Sequence, residues 1–229
     1  MKLTYYGHSC FAVETGGKTI LFDPFISGNP LAKHIDVNSI AADYIFVSHG
    51  HGDHIADAAG IAQRTGAKCV GSAEIAGWLQ KQGVANVHPM NHGGWIKFEF
   101  GNARGVNAVH SSSFPDGSYA GNPIGFVFTT EEGNFYYSGD TALTIDMELI
   151  PFWAKLDFAV LPIGSNFTMD VADAINAADL IQCHKIVGVH YDTFDLIAID
   201  KKMAKYDFAA AGKELLLPYI GETMEMGSL

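Results

Sequence analysis

The 229 residues carry 14 Lys and Arg against 25 Asp and Glu, for a formal net charge of −11, and 48% of them are hydrophobic. That much apolar material can bury a sizeable core, so one domain over residues 1–229 is expected. The acidic balance, with Arg64 and Arg104 as the only arginines, argues against a nucleic-acid partner, and without a bilayer-length or signal-type apolar run a cytoplasmic protein with no membrane insertion is expected.

Short β-type runs punctuated by Gly, Asn and Pro predict strands at 3–6, 10–14 and 18–22, with Thr15-Gly16-Gly17 as a hairpin turn. A wholly apolar strand at 44–47 leads through a Gly/His loop into a helix predicted at 55–64, where alanines and Ile61 favour it. Further strands are predicted at 68–70, 96–100, 105–109, 124–130, 134–137, 158–161 and 185–189. Val171, Ala174, Ile175 and Ala178 fall at i, i+3, i+4 and i+7, which predicts a helix with one apolar stripe, N-capped by Asp170. Lys201, Lys202 and Lys205 read as a solvated helix face, and Gly227-Ser228-Leu229 as a cloning remnant. Cys10, Cys69 and Cys183 are odd in number and scattered, which fits small buried hydrophobes better than a disulfide framework or a thiolate zinc cage. The mixture of strands and helices fits a layered α/β or α+β fold.

Directly after the apolar strand comes Ser48-His49-Gly50-His51-Gly52-Asp53-His54. Imidazole nitrogens and a carboxylate at this density suit zinc, manganese or iron, and the glycines let a short loop curl until its side chains converge. A metal site needs ligands from more than one segment. His110, Asp140 and His190 each follow a predicted strand, where rigid backbone can present them.

In order, these seven residues resemble the metallo-β-lactamase superfamily, whose pattern is HxHxDH, a distant His, an Asp and a last His. The resemblance implies a four-layer αβ/βα sandwich of two mixed sheets flanked by helices. It implies two divalent metal ions, expected to be Zn²⁺ with Mn²⁺ or Fe as alternatives: His49, His51 and His110 on one, Asp53, His54 and His190 on the other, Asp140 between. Gly7-His8-Ser9-Cys10-Phe11, the run from Leu21 to Pro30 and Asn166-Phe167-Thr168-Met169-Asp170 resemble a bacterial and archaeal group of metal-dependent hydrolases. That group is related to the ascorbate-phosphate lactonases and, more distantly, to the phospholipase D enzymes that act on N-acyl phosphatidylethanolamine. Asp53 stands where many true β-lactamases have a cysteine ligand, which argues against antibiotic hydrolysis.

The resemblance thus implies a hydrolase in which a metal-bridging hydroxide attacks a small ester, lactone or phosphodiester, with Asp53 both ligand and orienting group. The alternatives are an iron-dependent redox enzyme of the same fold, of persulfide dioxygenase or diiron type, and a metal-binding module without turnover. His8 is expected near the site, as substrate contact or proton donor or as a hairpin anchor. Asp23 is expected to brace the HxHxDH loop. Residues 25–36 and 111–122 are the expected substrate walls, with Lys33, His34, Ser111 and Tyr119 as weaker contacts. The expected partner is a small-molecule substrate, and a homo-oligomer stays open.

Overall fold

The structure is a computed structural model that describes residues 1–227; Ser228 and Leu229 of the expected cloning remnant lie outside the described residues. The first strands are β1 (Lys2–Gly7), β2 (Cys10–Thr15), β3 (Lys18–Phe22), β4 (Tyr44–Phe46), β5 (Lys68–Gly71) and β6 (Val87–Pro89). They are followed by β7 (Trp95–Phe98), β8 (Gly101–Asn107), β9 (Ile124–Thr130), β10 (Gly133–Tyr137), β11 (Phe158–Pro162), β12 (Lys185–Val189), β13 (Glu214–Leu216) and β14 (Thr223–Glu225). One sheet has the order β14-β1-β2-β3-β4-β5-β6, the other β13-β12-β11-β10-β9-β8-β7. Each starts with antiparallel hairpins and continues with parallel strands, β3 to β6 and β10 to β13. The predicted hairpin turn is present: Gly16 and Gly17 both take positive φ, as a two-residue hairpin of type I′ requires.

Helices α1 (Gly52–Ile55), α2 (Ala58–Thr65) and α3 (Ala73–Lys81) belong to the first half, and α4 (Ile150–Trp153), α5 (Val171–Leu180) and α6 (Lys201–Ala210) to the second. Three apolar clusters bind these layers. Between the sheets, Phe11, Phe22 and Phe46 face Phe126, Phe128, Phe135 and Tyr137, with Phe46 and Phe126 edge to face at 5.2 Å. Ile61, Ile75 and Leu79 cover the outer face of the first sheet, and Ala174, Ala178 and Phe208 that of the second. Four layers result, as the resemblance implied. The wholly buried β11, with no polar–apolar alternation, is what cover on both faces of a parallel strand produces.

Three sequence expectations shift. The helix expected at 55–64 is two helices, because Asp57 interrupts it: its carboxylate accepts from the Ile26 and Ser27 amides at 2.6 and 3.0 Å, fastening the segment after β3. The strand expected to reach 109 ends at Asn107, where Val109 leaves the ladder and donates instead to Thr141 Oγ1 at 2.9 Å. The strand expected at 96–100 is Trp95–Phe98, with the turn into β8 taking up the rest. The α5 cap is as expected, Asp170 accepting from Asp173 N at 2.8 Å. Unforeseen α3 is capped by Ser72, whose hydroxyl accepts from Ile75 N at 3.1 Å.

Candidate metal centre

Every residue expected to hold metal lies at one rim of the sandwich, past the C-terminal end of a strand. His49, His51, Asp53 and His54 follow β4, His110 follows β8, Asp140 follows β10 and His190 follows β12. Separate contacts fasten these strand ends to one another. Ala142 N donates to Val109 O at 3.0 Å, joining the segments that carry Asp140 and His110, and His190 N donates to His8 O at 3.0 Å. Gly164 is needed beside His190, since a Cβ there would lie 2.0 Å from the His190 carbonyl.

The side chains form two groups at the rim, and a third, of Asp23, His49 and His54, shares a member with each. His49, His51 and His110 each bring one nitrogen within 4.8 Å of the others, and so do the donor atoms of His8, Asp53, His54 and His190. Asp140 Oδ2 stands between the groups, 3.0 Å from His190 Nε2, 3.2 Å from His54 Nε2, 3.6 Å from His110 Nε2 and 3.9 Å from His49 Nε2.

Hydrogen bonding behind the rings aims their lone pairs inward. Asp23 is fully buried; its Oδ1 accepts from Ser48 N at 2.7 Å, and its Oδ2 from Ser48 Oγ and Tyr137 Oη, both at 2.5 Å, and from His54 Nδ1 at 2.8 Å. Having given its proton to Asp23, the Ser48 hydroxyl can only accept from His49 Nδ1, 2.9 Å away, so His49 Nε2 is left with a lone pair. That Nε2 faces His51 Nδ1 at 2.9 Å. His54 Nε2 and Asp140 Oδ1 are buried without a hydrogen-bond partner. Converging nitrogen lone pairs and orphaned buried polar atoms carry a large penalty unless a cation lies among them, so the residues present fit a metal centre.

Electrostatics agrees. Burial, reinforced by the charge of His54, pushes His49 and His51 below the usual imidazole range; burial also lowers His110 against the pull of Asp140. These rings stay neutral, as ligands must. Burial would also lower His54, but Asp140 and Asp53 override it and raise this ring well above its ordinary value, so without metal a proton occupies the place of a cation and His54 would release it on binding one. Burial would raise Asp53 and Asp140; His54 reverses the effect in both, so both carboxylates are ionised.

His8, in the β1–β2 turn, lies with its ring buried against Asp53. The ionised carboxylate only accepts, so His8 Nε2 donates to Asp53 Oδ2 at 3.0 Å and Nδ1 accepts from the Thr193 hydroxyl at 3.0 Å. Burial, only partly offset by the Asp53 hydrogen bond, lowers His8 from 6.5 to about 4. Above pH 6.5 the ring is neutral folded or unfolded; as pH falls from there toward 4 only the unfolded chain takes up the proton, so stability is lost across that window. Between pH 7 and 5 the loss amounts to about 2 kcal/mol. Urea unfolding of chelator-treated protein at these two pH values should show an acid-induced drop that is smaller by this amount in His8→Ala. An equal drop in both proteins would refute the assignment.

Of the expected walls, residues 111–122 form a hairpin clasped onto the metal loop. Ser72 Oγ donates to Ala120 O at 3.0 Å, Gly50 N donates to Ser112 Oγ at 3.2 Å, and Phe114 stacks on Trp78 at 5.1 Å. Ser111 Oγ comes within 3.4 Å of His51 Nε2. Tyr119 bonds Asn122, and His34 contacts Ile220 O, so neither is engaged with the cluster. Lys33 stays an exposed residue of the β3–β4 loop. Sequence reasoning missed Tyr137, Thr193 and Ser48. The first two carry no signal, since a tyrosine in an apolar strand and a threonine in a loop are ordinary, whereas Ser48 adjoins the motif.

The geometry has counterparts in known proteins. The β-lactamase superfamily domain matches residues 2–190. A UPF0173 metal-dependent hydrolase of Flavobacterium johnsoniae is 56% identical over 226 residues, 99% of this chain and 100% of that protein. Among solved structures, Igni18, a metallo-hydrolase of the hyperthermophilic archaeon Ignicoccus hospitalis, superposes with a TM-score of 0.88 at 34% identity over 97% of both chains. An isothiocyanate hydrolase from Delia radicum gut bacteria shares the fold, with a TM-score of 0.81 at 20% identity over 100% of both chains. The chain belongs to the β-lactamase superfamily, among its UPF0173 metal-dependent hydrolases.

Proposed function

We propose that this metal-dependent hydrolase is dinuclear and cleaves a small ester, lactone or phosphodiester. The observation that carries the proposal is Asp140 Oδ2, which stands within 3.9 Å of nitrogens from both donor groups. His49, His51 and His110 would hold one cation, Asp53, His54 and His190 the other, and Asp140 both. The nitrogen-rich donor set favours zinc, with manganese or iron as alternatives. Bound metal supplies an activated water and polarises the substrate oxygen.

The chain's own residues do the rest. Asp23 and Ser48 fix the ring orientation of His54 and His49. Asp53, with its side chain 29% exposed against 3% for Asp140, is the carboxylate that meets entering water and takes a hydrogen bond from it. His8 holds Asp53 in that position. Elemental analysis of reconstituted protein should find close to two metal ions per chain; fewer than one would overturn the dinuclear reading. Stoichiometric iron with oxygen consumption would overturn the hydrolytic one in favour of redox chemistry.

A further inference from the structure

Resting on that reading, we propose that the substrate is an uncharged carboxylic ester or lactone bearing an apolar group, and that anionic phosphodiesters are poor substrates. The charges of the fold are segregated. Lys18, Lys68, Lys155, Lys185 and Lys213 all lie at the rim opposite the metal centre, by the turns and strand starts of that end. The loops of the metal rim carry Lys33, and Lys201, at the start of α6, is tied to Asp192 at 2.8 Å. The same loops carry Asp146 and Asp195, and the cluster itself adds Asp53 and Asp140.

A bound metal pair attracts the reacting oxygen of either substrate class. What discriminates is the surround. A phosphodiester keeps its negative charge throughout and needs Arg, Lys or clustered backbone donors for its remaining oxygens. This rim offers carboxylates instead.

The rim is also apolar. Val109 precedes His110, Phe167 lies in the loop after β11, and Phe194 and Leu196 follow His190; they are 48%, 51%, 41% and 67% exposed. Exposed apolar residues scattered singly mean little, but four on the loops of one rim, three of them on ligand-bearing loops, mark a binding surface. Phe194 and Phe25 each meet the His8 ring edge-on at 5.6 Å, so aromatic wall continues down to the residue that holds Asp53. An acyl chain or ring entering here is desolvated beside the scissile carbonyl. Hydrolysis then adds the water oxygen to the carbonyl carbon and breaks its bond to the alkoxy oxygen, which leaves with a proton from that water.

The test uses zinc-reconstituted full chain with p-nitrophenyl acetate, butyrate and hexanoate against bis(p-nitrophenyl) phosphate, all releasing the same chromophore. We expect kcat/KM to rise about two- to fourfold per methylene, as partial to full burial of each CH₂ predicts, and the hexanoate to exceed the diester. Leu196→Lys should narrow that difference from both sides. A flat chain-length series, or a preference for the diester, overturns the substrate assignment while leaving the hydrolase reading intact. No turnover of any probe by protein holding two metals overturns the hydrolase reading itself.

Discussion

Asp140→Ala is expected to abolish stable binding of the metal pair and to lower turnover by about a thousandfold or more, the scale of losing metal-assisted activation of water. Asp23→Ala is expected to lower metal affinity by only about 10- to 100-fold, because Asp23 acts through the orientation of His54 and Ser48. Fold stability should rank the two variants in the opposite order. Asp140 Oδ1 has no partner and its Oδ2 meets only His190 and His54 Nε2, at 3.0 and 3.2 Å, so removing it from metal-free protein strands fewer groups than removing Asp23. Asp23 accepts from four donors, Ser48 N, Ser48 Oγ, His54 Nδ1 and Tyr137 Oη, and its removal leaves all four buried without an acceptor. At about 1–3 kcal/mol for an unsatisfied buried group, with partial relaxation, a loss of several kcal/mol follows. Metal content by elemental analysis and urea unfolding of chelated protein separate the two effects. If Asp23→Ala loses metal as completely as Asp140→Ala, the division into ligand and brace is wrong.

The same network shows what the sequence could and could not reveal. Four donors sit within six residues, His49 to His54, so local density announced them. His110, Asp140 and His190 were found because each follows a predicted strand; β8, β10 and β12 run in the same direction and deliver their C-terminal ends to one rim. Strand order itself stayed hidden, since periodicity says which face is buried and nothing about which strand lies alongside. Contacts made across the sandwich stayed hidden for the same reason. Tyr137 belongs to the second sheet and Asp23 to the first, 114 residues apart, and Thr193 meets His8 across 185. Gly50 read as a flexible link in the motif. In the fold it is also a contact point: a Cβ there would lie 2.3 Å from Ala120 Cβ, so the glycine admits the hairpin that steadies the metal loop. The helix at 55–64 failed because helix propensity cannot register that the Asp57 carboxylate is engaged by the chain after β3.

His8→Ala is expected to lower turnover by about 10- to 100-fold, the range for a group that orients a ligand, with metal content nearly intact. The sequence left His8 as substrate contact, proton donor or hairpin anchor. Its ring is buried and its pKa falls to about 4, so at neutral pH it holds no proton ready for a leaving group. It is committed instead to Asp53 Oδ2 through Nε2 and to Thr193 through Nδ1. Without it, Asp53 loses the donor that fixes the plane of its carboxylate, and the angle at which it receives water broadens. The seven other side chains still supply donors for both cations, so metal is retained. His8→Gln, which can present an amide N–H to Asp53, should recover part of the lost rate, and Thr193→Val should show a weaker version of the same defect. Kinetics on an accepted substrate, with metal analysis and unfolding on the same preparations, decide the matter. Unchanged turnover would reduce His8 to an anchor of its hairpin, and loss of one metal would make it a ligand of the cation held by Asp53, His54 and His190.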